Sequence, residues 1–140
     1  MKFSHLRSPR SAHEQGASLV EFALVALLLL LLLTAVVDLG RAYHSYIVIT
    51  NASREGARYG SRFPGHTAGI LAAVQQEAAG NGMTLNAANI QVTVPNPAHS
   101  GDTIRVEVSF DFDTFMGGIL GMNTITMRRA TEMVVFGTLE

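Results

Sequence analysis

The chain has 140 residues, 48% of them hydrophobic, and a formal net charge of −1. This length leaves room for one modest domain, and the near-neutral charge gives no reason to expect nucleic-acid binding. Cysteine is absent, which excludes disulfides, thiolate metal sites and cysteine nucleophiles.

The first residues, 1–16, are polar and basic. Pro9 and several serines argue against a stable helix, so we expect a short flexible leader. The following stretch, 17–37, reads ASLVEFALVALLLLLLLTAVV. Its length matches the ~20 residues that cross a ~30 Å hydrocarbon core at 1.5 Å per residue, so it predicts a transmembrane helix. Because positive charge precedes this helix, the leader is expected in the cytoplasm and the remainder outside.

The alternative for residues 17–37 is a cleaved secretory signal peptide. Such a peptide has an apolar core of ~7 to 15 residues and ends at a small-x-small site. The run in this chain is longer, and Ala35-Val36-Val37 matches such a site poorly. We therefore expect the finished protein to keep the helix.

Beyond the apolar run, the helix is expected to leave the membrane and continue over 38–63, until Phe63-Pro64-Gly65 breaks it. The evidence is a set of residues that recur every three to four positions, the spacing of one helix face. Its members are Leu39, Tyr43, Tyr46, Ile49, Ser53, Gly56 and Gly60. Ala52, Gly56 and Gly60 form a shallow ridge where another backbone can come close, although Gly60 is equally consistent with a helix stop.

Residues 64–140 predict a small exported domain that begins with a second helix. Thr67 is the expected N-cap of the segment AGILAAVQQEAAG, and Gly80 is its expected C-terminal glycine. Ile70, Leu71 and Val74 fall on one face, which must pack on something apolar.

Strands are expected over Ile90–Val94 and Thr103–Phe112, joined as an antiparallel hairpin, with a last strand within Thr124–Phe136. In the second of these strands, the alternation of apolar and polar residues gives one buried and one solvated face. The fold class is therefore α+β, a long transmembrane helix extending into a small domain with a second helix and a roughly three-stranded antiparallel sheet.

No active site, cofactor site or metal site is expected. The five histidines are scattered, and no phosphate-binding glycine loop is present in the sequence. Asp102, Asp111 and Asp113 offer oxygen ligands for a weak calcium site, but solvated acids on a strand are the better interpretation, because no loop with calcium-ligand spacing surrounds them.

Glu21 is the most informative residue, because a carboxylate inside an apolar helix costs free energy unless it has a function or reaches the interface. One interpretation is snorkelling at the membrane boundary. The other is cleavage between Gly16 and Ala17, after which Glu21 of one subunit pairs with the free amine of a neighbour.

The helix surface beyond the membrane carries a cluster of charges. Glu55 can meet Arg58 three residues on, while Arg54 projects elsewhere. Such exposed pairs contribute only ~0.2 to 0.5 kcal/mol, so stability alone hardly explains the cluster. It is interpreted either as a docking surface for the globular domain or a neighbouring subunit, or as a solvated helix face.

Three motifs occur in order between Gly16 and Arg62 and resemble the TadE-like family, the minor pilin-like subunits of tight-adherence (Flp-type, type IVb) pili. They are the start GASLVEFAL, the exit Asp38-Leu39-Gly40-Arg41-Ala42, and the segment Asn51–Arg58. Downstream of Arg62 the resemblance is architectural, a pilin-like helix and strands.

The resemblance implies a single-pass protein of the bacterial inner membrane, with its C-terminal domain in the periplasm. A prepilin peptidase would cut between Gly16 and Ala17, and Glu21 and Phe22 would serve subunit assembly. Asp38 and Arg41 join the charged cluster as docking residues. The implied partners are other pilin-like subunits and the inner-membrane assembly platform. The alternative is an uncleaved membrane scaffold that does not enter a filament.

Overall fold

A computed structural model describes residues 12–121 and 123–136. The elements in chain order are α1 (Ala12–Gly60), α2 (Thr67–Gly80), a 3-10 turn (Ala87–Asn89), β1 (Ile90–Thr93), β2 (Thr103–Asp113), α3 (Gly117–Leu120) and β3 (Thr124–Val134). The sequence-based fold class is confirmed: a long apolar N-terminal helix, a second helix and a three-stranded antiparallel sheet.

Helix α1 is one continuous element of 49 residues that includes the apolar run and its continuation. Because it begins at Ala12, the expected helix-free leader is wrong for residues 12–16, while residues 1–11 lie outside the described part. Ala12, Glu14 and Gln15 are good helix formers, so the helix extends back from the apolar run. The helix ends at Gly60, before the predicted end at residue 63, with Ser61 N still bonded to Ala57 O (2.8 Å).

The sheet has the strand order β1-β2-β3, and neighbouring strands are antiparallel. Ile90 pairs with Val108, and Thr103 pairs with Val134. On β2, Ile104, Val106, Val108 and Phe112 are buried beneath the helices and Phe110 is half-buried. Arg105 and Asp111 on the other face are exposed. Helix α1 packs against α2, β2 and β3, so the domain has two layers.

Small residues let α1 approach the sheet and α2 closely. A methyl group added at Gly56 would lie 2.4 Å from Val74 Cγ2 and 3.1 Å from Val106 Cγ1. One added at Gly60 would lie 2.3 Å from Ile104 Cδ1. Ala52, also on the predicted ridge, is fully buried. The ridge therefore meets side chains of α2 and β2 in the same chain.

The residues whose spacing predicted the continuation of α1 are not on its packed face at the beginning of that stretch. Leu39 and Tyr43 are 70% and 66% exposed, whereas Asp38, Ser45 and Val48 are buried against the domain. The packed face is instead the one that Gly56 occupies farther along the helix. Apolar and aromatic residues near a membrane exit favour the interface itself, so their presence does not identify the side that faces the domain.

The ends of α2 also differ from the prediction. His66 occupies the N-cap position, no side-chain cap bond is formed, and Thr67 is the first helical residue. Gly80 is the last helical residue, and Gly82 adopts the left-handed conformation with φ 76°. Met83 N then bonds to Ala78 O at 2.9 Å, which closes the helix end.

We expect Gly56→Ala to destabilise the domain by about 1–3 kcal/mol, because the short, branched valines that face Gly56 have little freedom to move away. Gly40→Ala is the matched control, since a methyl group there meets no atom of the described residues within 4 Å. Alanine favours the helix by about 0.8–1 kcal/mol over glycine, so Gly40→Ala should be neutral or stabilising. Denaturant unfolding of the full chain in detergent measures both, and equal or greater stability of Gly56→Ala would contradict the packing argument.

Candidate functional site

The N-terminal half of α1 projects away from the domain. It is long and apolar enough to cross a membrane, and its most apolar window is not buried by the rest of the described chain. This indicates a membrane anchor, because a soluble core helix of that composition would be covered.

The predicted assembly residues lie on this projecting half. Gly16, Ala17, Glu21 and Phe22 are all exposed. The bond between Gly16 and Ala17 lies inside α1, so a peptidase would have to unwind the first turns of the helix to reach it. Glu21 lies one helical turn beyond Ala17, on the same free surface.

Asp38 lies where α1 meets the domain, and it holds the connection between β2 and β3. Its Oδ2 accepts a hydrogen bond from the backbone N of Met116 at 2.8 Å. Its Oδ1 accepts one from Nη1 of Arg41 at 3.2 Å. Asp38 is 7% exposed, so the charge is held by specific donors and not by water.

Arg41, one turn further along α1, completes this junction. Its guanidinium carbon lies 4.2 Å from the ring centroid of Phe115 and 5.1 Å from that of Phe112, which are cation–π contacts. Nη1 also donates to the backbone oxygen of Asp113 over 3.4 Å. Asp38 and Arg41 together hold both the backbone and the aromatic side chains at the end of β2; we call this contact the junction clamp.

The junction clamp lowers the pKa of Asp38 below its usual value of 3.8. The main cause is the hydrogen bond from the Met116 backbone, opposed by burial and assisted by the Phe115 backbone and by Arg41. The carboxylate is therefore ionised throughout the physiological pH range.

A cavity of about 340 Å³ lies beside the clamp. Its walls are almost entirely apolar and come from α1 and from the end of the sheet. The lining includes Ala35, Leu39, Ala42, Phe112 and Met116. An open apolar cleft at the membrane exit is suited to hydrocarbon and not to a charged ligand.

The charged cluster of the helix lies farther from the membrane. Nε of Arg58 donates to Oε2 of Glu55 at 2.8 Å, and Nη2 donates to Oε1, so the pair is bidentate. The hydrogen bond from Arg58 lowers the pKa of Glu55. Arg54 is exposed beside this pair. The predicted docking role of these residues stays a prediction.

Comparison with known proteins gives one finding about this helix. Residues 16–58 match the model of the family described as "TadE-like protein". The helix segment is TadE-like. Neither the curated proteins nor the solved structures give a match to the chain.

The TadE-like segment contains two different kinds of residue. Asp38 and Arg41 form the junction clamp, and Gly56 permits close packing, so these positions are accounted for by contacts within the chain. Glu21, Phe22 and Gly40 are exposed, and among the described residues Gly40 has no neighbour that would exclude a side chain. Contacts within residues 12–121 and 123–136 do not explain this second kind.

Polar residues on the helix-facing side of β3 were missed by the sequence analysis. The Arg129 guanidinium lies 5.0 Å from the ring centroid of Tyr46, and its buried Nε has no hydrogen-bond partner in the described part of the chain. Thr131 Oγ1 lies 2.8 Å from Ser53 Oγ. The alternation Met127, Arg129, Thr131 could have placed these residues on one face, but not opposite particular helix residues.

The candidate calcium acids have partners within the sheet and its loop. Asp111 and Asp113 accept hydrogen bonds from the hydroxyls of Thr126 and Thr124, at 2.6 and 2.8 Å. Asp102 Oδ2 accepts one from His99 N at 2.7 Å. Among residues 12–121 and 123–136, no group of three or more histidines and acids could hold a metal ion.

We expect Asp38→Asn to lower the stability of the domain in a pH-dependent way. Because the pKa is lowered in the folded state, the ionised carboxylate stabilises the fold above its usual value of 3.8, and this contribution is lost as the pH falls through the lowered pKa. Denaturant midpoints of the full chain in detergent should differ between parent and variant at neutral pH and converge at strongly acidic pH. Asp111→Asn, the same substitution on the exposed sheet face, is the control; an Asp38→Asn deficit that is the same at all pH values would contradict the electrostatic role.

Proposed function

We propose that this chain is a minor pilin-like subunit needed for assembly of a tight-adherence type IV pilus. It acts through membrane anchoring and subunit recognition, without catalysis. The observation that carries the proposal is the TadE-like helix, whose apolar half is not covered by any other part of the described chain. We place the protein in the bacterial inner membrane, with its N-terminus cytoplasmic and its sheet domain periplasmic, since positive charge precedes the helix.

The exposed surface of α1 supports recognition by a neighbouring helix. Phe22, Leu29, Val36 and Tyr43 recur every seven residues, and each is more than half exposed. This spacing keeps side chains along one side of a helix, as in packed helix pairs. Gly40 lies on the same side and costs about 0.8–1 kcal/mol relative to alanine. Since packing within the described part of the chain does not require Gly40, close approach of another helix is the role we assign to it.

Glu21 supports assembly through charge. It lies among apolar side chains, and lipid offers a carboxylate no compensating charge. After cleavage between Gly16 and Ala17, the amine of a neighbouring subunit would provide that charge. The partners we propose are therefore other pilin-like subunits, together with a prepilin peptidase and the inner-membrane assembly platform.

One observation favours a second candidate function. Helix α1 continues through the Gly16 to Ala17 bond, so the chain has a regular helix at the bond that a peptidase would cut. An uncleaved protein of this kind would be a membrane scaffold of the pilus or secretion machine that does not enter the filament. In that case Glu21 would remain near the cytoplasmic boundary and snorkel.

Mass spectrometry of the membrane-extracted protein separates the two candidates. We expect a mature N-terminus at Ala17, with residues 1–16 lost. Gly16→Leu places a branched side chain at the bond, so its precursor should remain uncleaved. Gly40→Leu is remote from the bond, so this control variant should be cleaved like the parent protein. An intact leader in the mature pool of the parent protein would favour the scaffold.

We expect Glu21→Gln to reduce the yield of sheared pili strongly while the protein stays in the membrane. The substitution removes the charge and keeps the size, so it tests pairing and not packing. Glu77→Gln makes the same chemical change on α2, away from the membrane-spanning half, and should assemble normally. Pilus yield and membrane content are measured in cells that lack the parental gene, and normal yield with Glu21→Gln would contradict the assembly role.

A further inference from the structure

The height of the junction clamp relative to the membrane follows from the anchor. Apolar residues end at Val37, and Asp38 is the first charged residue beyond them. A bilayer has a hydrocarbon core of ~30 Å and, with headgroups, a thickness of ~40–45 Å, which leaves roughly 5–7 Å of headgroup layer on each side. At 1.5 Å per residue, this layer takes up about four helical residues. Residues 38–41 therefore lie in the headgroup layer.

The connection between β2 and β3 is fixed at the same height. Met116 N is bonded to Asp38, and the Phe115 ring lies against the Arg41 guanidinium at 4.2 Å. These contacts join the connection to α1 within one helical turn of the apolar run. The end of the sheet cannot be displaced from the membrane surface unless the clamp opens.

Large apolar side chains are exposed at this height. Phe115 is 61% exposed, Leu39 70% and Ile125 51%. Leu39 and Ile125 line the apolar cavity of about 340 Å³, and so do Thr114 and Met116, the chain neighbours of Phe115. In water, such a surface would be an unfavourable apolar patch, whereas aromatic side chains at the headgroup level are stabilised by lipid.

We propose that Phe115, Leu39 and Ile125 form a membrane foot, which inserts into the headgroup and upper acyl layer of the bilayer that α1 crosses. The partner is the phospholipid surface, and the cavity takes up acyl-chain carbon. Arg41, whose side chain is 42% exposed, lies at the level of the phosphates. The foot seats the sheet domain on the membrane and fixes its orientation about α1. This inference rests on the membrane anchoring in the proposed function, and the experiment separates the two.

The chain contains no tryptophan, so one substitution creates a single fluorescent reporter. Phe115→Trp places it in the foot. Phe63→Trp is the matched control, because Phe63 is also an exposed phenylalanine, 54% exposed, but lies beyond Gly60, the last residue of α1. At 1.5 Å per helical residue, Gly60 is roughly 33 Å along the helix from Asp38. Leu27→Trp reports on the anchor itself. The full-length proteins are reconstituted at low density into phosphatidylcholine vesicles with brominated acyl chains, which quench tryptophan on contact.

We expect strong quenching of Trp at positions 27 and 115 and little at position 63. Quenching at position 27 without quenching at position 115 would overturn the membrane foot and leave the anchor intact. This is the result expected if a second copy of the chain covers Phe115. Equal quenching at 115 and 63 would overturn it as well, because the domain would then lie flat on the bilayer. Absence of quenching at all three positions would overturn both the anchor and the foot.

Discussion

The close approach of α1 to the sheet is the constraint on which the rest of the structure depends. Gly56 and Gly60 bring the helix backbone within reach of Val74, Val106 and Ile104, where a methyl group would already collide. Because one continuous helix provides both this contact and the apolar run, the domain is positioned by a rigid rod and not by a flexible linker. The glycines cost helix propensity, and burial of the facing valines and isoleucines offsets that cost.

The junction clamp adds a second point of attachment at the other end of the packed face. Close packing around Gly56 fixes the distance between helix and sheet, while Asp38 and Arg41 fix the end of β2 near the membrane exit. The hydrogen bond from a backbone N–H to an ionised carboxylate is directional, whereas apolar packing alone would permit the sheet to slide along the helix. The two attachments together define one orientation of the sheet domain relative to the helix axis.

Local sequence patterns were sufficient to predict the helices and strands but not the contacts between them. Strand β2 was predictable because its side chains alternate with a period of two residues. The anchor was predictable because the apolar run in α1 is as long as a membrane is thick. The contact between Asp38 and Met116 joins residues 78 positions apart, and a single sequence contains no record of that proximity. The same limit applies to Leu39 and Tyr43, which do not pack on the domain: in a helix that leaves a membrane, apolar character is favoured by lipid as well as by protein, and the pattern does not separate the two.

Some residues of the TadE-like segment contact the domain of the same chain, and others are exposed. This distribution indicates that two sides of α1 have different roles. Asp38, Arg41 and Gly56 lie on the side that the domain covers, and the chain itself accounts for them. Glu21, Phe22 and Gly40 lie where the described chain offers no partner. Because the helix is continuous, a neighbour that binds the free side would also set the direction in which the sheet domain faces. Recognition in the membrane and presentation outside it would then be mechanically linked through one helix.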